Sequence, residues 1–434
     1  MDIEKLIRPD SDNSKGSRSK LITATIDSTI SLLDGLIQIK SVNNDIVDLT
    51  KKILNYAQNN PSKYFSEHNI IDGAFFEWYY QAINYLNKQD FDNLVKHYYK
   101  LPYVLSEITL TMQSSSKRLV FADETGEIFL YNYFSLGHYQ PFERIELHFE
   151  NETIFYIKPK GNKYSLDDIR KYGVYQIPHS NIFIKQVGKG RERIISRYQC
   201  NLKAVADDDV PFEMISPEKL IEHKLTTPYI NKFEKALEYI KKIDIDLYQE
   251  TNVLTRDITL LRGFPFIGGS SLNHFGTSFF NLLPEWSIEC YADHIVHEAA
   301  HQKIHSIFEL EPILLNPNDT LAKSPIRPDK RPLEGIFHAT FVFYRLSHFF
   351  FKAVENNYSK EAEIRLHRHL LGFYAGVDQL IEFGKFNPTG IAYVDYLQKE
   401  KSRFKKRIEF PEATLYNQIP IDYEKPRNLT FVTE

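Results

Sequence analysis

The run PEWSIECYADHIVHEAAHQKIHSIFELEP, residues 284–312, decides how the second half of the chain is read. Its apolar positions Ile288, Ala292, Ile295, Val296, Ala299, Ile304, Ile307 and Phe308 follow the period of an amphipathic helix. Pro284-Glu285 supplies a start and Pro312 a stop, so the pattern predicts one long helix. That helix carries His297-Glu298-Ala299-Ala300-His301. Imidazoles at i and i+4 sit one turn apart on one face and can converge on a single metal ion, while Glu298 points beside them toward metal-bound water or substrate. Glu298 is therefore the candidate catalytic group. His294 and His305 extend the same stripe, but four ligands from one straight helix cannot surround one ion, so both are expected behind the ligands or at the surface. A metzincin would have Gly at 304 and His at 307; Ile304 and Ile307 exclude that class. The third ligand must come from downstream, where Glu309, Glu311 or Glu334 would complete a peptidase-type site and His338 a three-His site. His338 lies among Ile336, Phe337, Phe341 and Val342, a setting that on position alone is more usual for a core histidine than for a ligand.

Outward from this helix, a Pro-rich loop fills 312–332, and helices are expected at about 333–357, 360–385 and 391–407. Upstream, Val253 to Phe266 and Phe275 to Leu283 read as strands flanking Gly268-Gly269-Ser270-Ser271, which lacks the Gly-Lys-Ser/Thr of a phosphate loop and so excludes nucleotide binding there. Ser-Pro-Glu-Lys at 216–219 reads as the capped start of a helix running to about Ile243. Between about Lys117 and Cys200, short β-branched and aromatic runs such as RLVF, RIELHF and NIFIKQV read as strands, with Gly188-Lys189-Gly190 as a hairpin turn. From Leu21 to about Leu110 the helical period returns. The fold class expected is α+β: a helical N-terminal region and a β-rich middle segment, then a mainly helical, zincin-like half with a few strands. Asp207-Asp208-Asp209 and Pro211 mark a boundary at 201–215, giving an N-terminal α+β domain at 1–215 and a catalytic domain at 216–434.

Composition narrows the function classes. The 434 residues are 42% hydrophobic and 25% charged, a globular balance, and 53 Lys plus Arg against 57 Asp plus Glu leave a net charge of −4. No global field attracts nucleic acid or an anionic membrane, and neither is expected as a partner. Cys200 and Cys290 match no paired spacing, so a metal site must rest on His and carboxylates. The first twenty residues contain no apolar core of a secretory signal, and Phe349-Phe350-Phe351 ends at Lys352, far short of the roughly 20 residues of a membrane span. A cytoplasmic location is the expectation. The basic run Lys399 to Arg407 suits a helix C-terminus and reads as a solvated face.

Two stretches carry a family resemblance. SSLNHFGTSFFNLLPEWSIECYADHIVHEAAHQKIHSIFELEPILL (270–315) and SPIRPDKRPLEGIFHATFVFYRL (324–346) resemble the HExxH-type iron(II), 2-oxoglutarate-dependent peptide β-hydroxylases that modify ribosomally made precursor peptides in bacteria. The similarity covers about 216–400, with Ile326 standing where the family commonly has an aromatic residue. It implies an oxidoreductase, a dioxygenase with His297, His301 and His338 on Fe(II) and with Arg331 or Arg327 paired to the 2-oxoglutarate carboxylate. A planar guanidinium suits that bidentate role better than Lys. Dioxygen and a precursor peptide would be the other partners. The alternative is a zinc metallopeptidase, with His297, His301 and Glu334 or Glu311 on Zn(II) and Glu298 as general base. A non-enzymatic peptide carrier is a third reading. The first 215 residues fall outside the resemblance, and either peptide docking or structural support would suit them.

Overall fold

The computed structural model describes residues 3–408, apart from 39–43, 61–72, 106–116, 123–125, 131–133, 142, 152–153, 158–162, 167–173, 187–226, 261–266, 281, 284, 326–328 and 357–358. Helices open the chain: α1 (Ile3–Ile7), α2 (Ser11–Leu36), α3 (Asn44–Gln58), α4 (Gly73–Asn87), α5 (Phe91–Tyr98) and α6 (Leu101–Val104). Asp10 caps α2 by accepting from Asn13 N at 2.9 Å, satisfying one of the amides a helix start leaves open. The helical spacing of Leu21, Ile22, Ile26 and Leu33 then buries one face against Phe75, Phe76, Trp78 and Leu94.

Two hydrogen bonds lock α4 to α5: Trp78 Nε1 donates to His97 O at 2.9 Å, and His97 Nε2 meets Trp78 O at 2.9 Å. Burial pushes the His97 imidazole down to about 4. When unfolded it titrates near 6.5, so as pH falls the unfolded chain takes the proton first. Stability is therefore full above about pH 6.5 and drains away down to about 4, by about 3 kcal/mol for this one group. The urea midpoint should fall between pH 7 and pH 5, and His97→Gln should shrink that fall. An undiminished fall in the variant would remove His97 from the account.

Strands follow: β1 (Lys117–Phe121), β2 (Glu127–Leu130), β3 (Phe134–His138), β4 (Arg144–Phe149), β5 (Ile154–Ile157), β6 (Lys163–Ser165), β7 (Val174–Gln176) and β8 (Phe183–Gln186). β2 and β3 pair as a two-stranded ribbon, and β1-β4-β5-β6 form an antiparallel sheet. Alternation in β4 sends Ile145, Leu147 and Phe149 into a core of their own with Val120, Phe155 and Ile157.

The remainder is α7 (Thr227–Ile243), α8 (Ile245–Leu254), β9 (Asp257–Leu260), β10 (Gly268–Gly269), a 3-10 turn (Leu272–His274), β11 (Thr277–Phe280), α9 (Ile288–Phe308), β12 (Leu321–Lys323), β13 (Lys330–Pro332), α10 (Leu333–Glu355), α11 (Lys360–Phe383) and α12 (Pro388–Arg407). The fold is α+β, with a strand-rich middle and a helical C-terminal half. A five-stranded sheet runs β10-β11-β9-β8-β7, with β8 and β11 both parallel to β9. Strands from before residue 187 and after residue 256 thus share one sheet, and Ile7, Ile182 and Ile184 share one apolar core with Phe233, Ile295 and Phe341. The boundary expected at 201–215, the cap at 216–219 and the turn at 188–190 lie outside the described residues.

Several element ends differ from expectation, mostly because of caps. Val253 and Leu254 close α8 rather than open a strand, since Asp244 caps that helix by accepting from Leu247 N at 3.1 Å. β11 is shorter than 275–283: Gly276 turns at φ +90, and the 3-10 turn precedes it. α9 starts at Ile288, not at Pro284-Glu285, because Ser287 Oγ accepts from Cys290 N at 3.0 Å. Asn387-Pro388 likewise starts α12 ahead of the expected 391, with Asn387 Oδ1 accepting from Gly390 N at 2.8 Å.

α10 and α11 pack closely through glycines four apart. A Cβ on Gly372 would lie 2.8 Å from Phe343 Cδ2, and one on Gly376 would overlap the Thr340 side chain. Gly376→Val should lower stability by about 1–3 kcal/mol through overpacking, read as a lower urea midpoint. An unchanged midpoint would mean the two helices separate freely.

Candidate metal centre

α9 is held from several sides. Gln302 accepts from Gly276 N at 3.0 Å and donates to Thr277 O at 3.0 Å, pinning the helix to β11. Asp293 is fully buried and meets Arg365 and His369 Nε2, each at 2.8 Å, which ties the helix to α11. Lys303, also fully buried, donates to Ser14 Oγ of α2 at 2.7 Å and lies 3.4 Å from Glu250 Oε1 of α8. Glu250 is also ion-paired with Arg345 of α10.

This frame presents the histidines. His297 and His301 bring their Nε2 atoms to 3.2 Å. Two imidazoles on one ion at about 2.0–2.1 Å stand roughly 3 Å apart, so the pair has ligand spacing. α10 then supplies His338, whose ring centroid lies 6.2 Å from that of His301 and 4.9 Å from that of His305. One nitrogen each of His301, His305 and His338 fall within 4.8 Å of one another. His305, expected behind the ligands or at the surface, therefore joins the cluster, while His297 adjoins it at His301. Residues 297 and 305 are two turns, roughly 12 Å, apart along the axis, so one ion takes a single i, i+4 pair.

The donors fit a divalent ion that accepts nitrogen. His338 is buried, whereas His297, His301 and His305 keep part of their surface open, as side chains on a cleft floor do. Burial pushes His297 and His338 down to about 4, and it holds His301 and His305 well below the usual range with help from neighbouring imidazoles. Neutral imidazole is the form a metal binds. Nε2 of His338 is buried without a hydrogen-bond partner, a loss of about 1–3 kcal/mol that an ion would offset.

Glu298 is placed by the glycine loop. Ser270 Oγ donates to Glu298 Oε2 at 2.7 Å, and a Cβ on Gly268 would stand 3.2 Å from Oε1. Burial raises this carboxyl to about 8 against the opposing hydrogen bond, so it carries a proton near neutral pH. Sequence reasoning judged the loop only as a phosphate binder and missed this seat.

The remaining candidates lie apart or elsewhere. Arg331 sits on β13, its Nε donating to Asp329 Oδ2 at 2.8 Å, and Arg327 is outside the described residues. Glu311 accepts from Asn387 Nδ2 at 2.9 Å and Thr389 Oγ1 at 2.8 Å; Glu309 accepts from Tyr80 Oη at 2.9 Å. In the basic run, Lys401 pairs with Asp378, Arg403 with Glu400 and Arg407 with Glu355. No helix among the described residues is long and apolar enough to cross a membrane. Compared with known proteins, the chain matches no protein-family model and no curated protein significantly.

Proposed function

We propose that the protein is an iron(II), 2-oxoglutarate-dependent oxygenase that hydroxylates a side-chain carbon, Cβ, of a ribosomally made precursor peptide. The observation that carries this reading is the third imidazole: one nitrogen each of His301, His305 and His338 lie within 4.8 Å of one another, and His338 Nε2 is buried without a hydrogen-bond partner. Of the carboxylates that could complete a zinc peptidase site, Glu311 and Glu309 accept hydrogen bonds from Asn387, Thr389 and Tyr80, while Glu334 is exposed on the cavity that His305 also lines. The reaction itself comes from the resemblance of 270–315 and 324–346. A soluble enzyme working in the cytoplasm, without membrane or nucleic acid, fits the composition.

In this reading His297, His301 and His338 hold Fe(II) through neutral imidazoles and leave coordination positions open. Bound iron supplies the oxidising chemistry, in which 2-oxoglutarate and dioxygen become succinate and carbon dioxide while one oxygen enters the peptide. Arg331 or Arg327 pairs with the co-substrate's distal carboxylate, a role open to the Arg331 Nη groups while its Nε stays on Asp329. Glu298 would line the site beside the imidazoles, with Ser270 fixing its rotamer.

The test is an anaerobically iron-loaded preparation given peptide, 2-oxoglutarate and dioxygen. Succinate should appear one-for-one with a peptide heavier by one oxygen atom. Full activity with zinc and no 2-oxoglutarate, giving cleaved peptide, would replace this reading with the peptidase.

A further inference from the structure

A cavity of about 210 Å³ opens between the last turn of α9, the loop after it and the first turn of α10. His305 forms part of its wall, so the cavity meets the imidazole cluster directly. Phe308, Leu314 and Leu333 give it apolar sides, and among the described residues that line it the acidic side chains are Glu309 and Glu334, with no Lys or Arg. Both are exposed at the rim, and among the described residues neither has a cationic partner. Tyr80 Oη occupies Oε1 of Glu309 and thereby fixes the group in place. The volume is below the roughly 300–1,000 Å³ of drug-sized sites, which suits one inserted side chain.

From this charge and shape we infer that the cavity is a subsite for a lysine or arginine side chain of the peptide substrate. The methylene stem lies along Phe308, Leu314 and Leu333, and the cationic head reaches Glu309 and Glu334. Long basic side chains divide in this way, with the stem on apolar surface and the head at a polar rim. The inference rests on the peptide-oxygenase reading and adds a specificity to it: a basic residue anchored beside His305 sets which neighbouring residue meets the metal. A rim pair is worth a small factor in binding, and two carboxylates together make the preference about fivefold.

The test uses fluorescein-labelled pentapeptides Gly-Ala-X-Ala-Gly, with X as lysine, norleucine or glutamate, on the full chain with and without Fe(II) under anaerobic conditions. Fluorescence polarisation should give the lysine peptide at least fivefold tighter binding than norleucine, with glutamate weakest. The double variant Glu309→Gln, Glu334→Gln should erase the lysine preference, leave norleucine binding unchanged and keep the metal content of the parent protein. Equal binding of the lysine and norleucine peptides, or a lysine preference that survives the double variant, would overturn the subsite. Loss of bound metal along with the preference would assign the carboxylates to the ion and overturn it equally. A lysine preference in a protein that binds no metal would uphold the subsite and remove only the oxygenase reading.

Discussion

His301→Ala should strip the protein of bound metal and, with it, of any metal-dependent activity. His301 is the one imidazole common to both arrangements on α9: its Nε2 is 3.2 Å from that of His297, and it clusters with His305 and His338. If three ligands share the roughly 10–16 kcal/mol of a protein zinc site, losing one costs on the order of 3–5 kcal/mol, or about 10²–10⁴-fold in affinity. Equilibrium titration with Fe(II) or Co(II) reads this directly and needs no substrate. His297→Ala and His338→Ala should fall as far, and His305→Ala by less than tenfold. The reverse order for His297 and His305 would move the ion one turn toward the end of α9, onto His301, His305 and His338. Metal affinity unchanged in His301→Ala would leave no metal centre on this helix.

Arg345→Ala should be the most destabilising single change distant from the imidazoles. Glu250, Lys303 and Arg345 are 0–3% exposed and share one ionic network, with Ser14 Oγ donating to Glu250 Oε1 at 2.6 Å. Arg345 also donates to Ile7 O at 2.8 Å, so its loss frees a carbonyl as well as a carboxylate. Leaving a charge buried with its partner removed costs about 3–5 kcal/mol. Replacing all three members with apolar residues, Glu250→Leu with Lys303→Met and Arg345→Met, should cost less than Arg345→Ala, because no charge is then stranded. Urea denaturation followed by far-ultraviolet circular dichroism gives both numbers. A loss under 1 kcal/mol in Arg345→Ala would mean that water reaches Glu250.

The local part of the site was legible in the sequence, since His297 and His301 need only a helix to become neighbours, and the apolar period announced that helix. The α+β class was legible for the same reason, as each segment shows its own period. What depended on distant segments was not. His305 enters the cluster only because α10 crosses α9 at His338, and no spacing within 288–308 says so. The seat of Glu298 comes from Ser270 on the loop after β10, whose position follows from antiparallel pairing with β11. Helix starts shifted by a few residues because Ser287 and Asn387, not the adjacent prolines alone, supplied the capping oxygen. The β8 to β9 pairing joins runs more than seventy residues apart, beyond the reach of any local pattern.

That pairing, together with the bond from Lys303 to Ser14 across 289 residues, bears on how the chain is made. As the polypeptide leaves the ribosome, β8 emerges long before β9 can cover its edge, and α2 is finished well before Lys303 and Glu250 exist to meet Ser14. The early segments must wait with apolar faces and a strand edge uncovered, a slow, non-local order of assembly. A chain begun at residue 216 would never receive those early segments, leaving β9 with an open edge of the kind that recruits other strands.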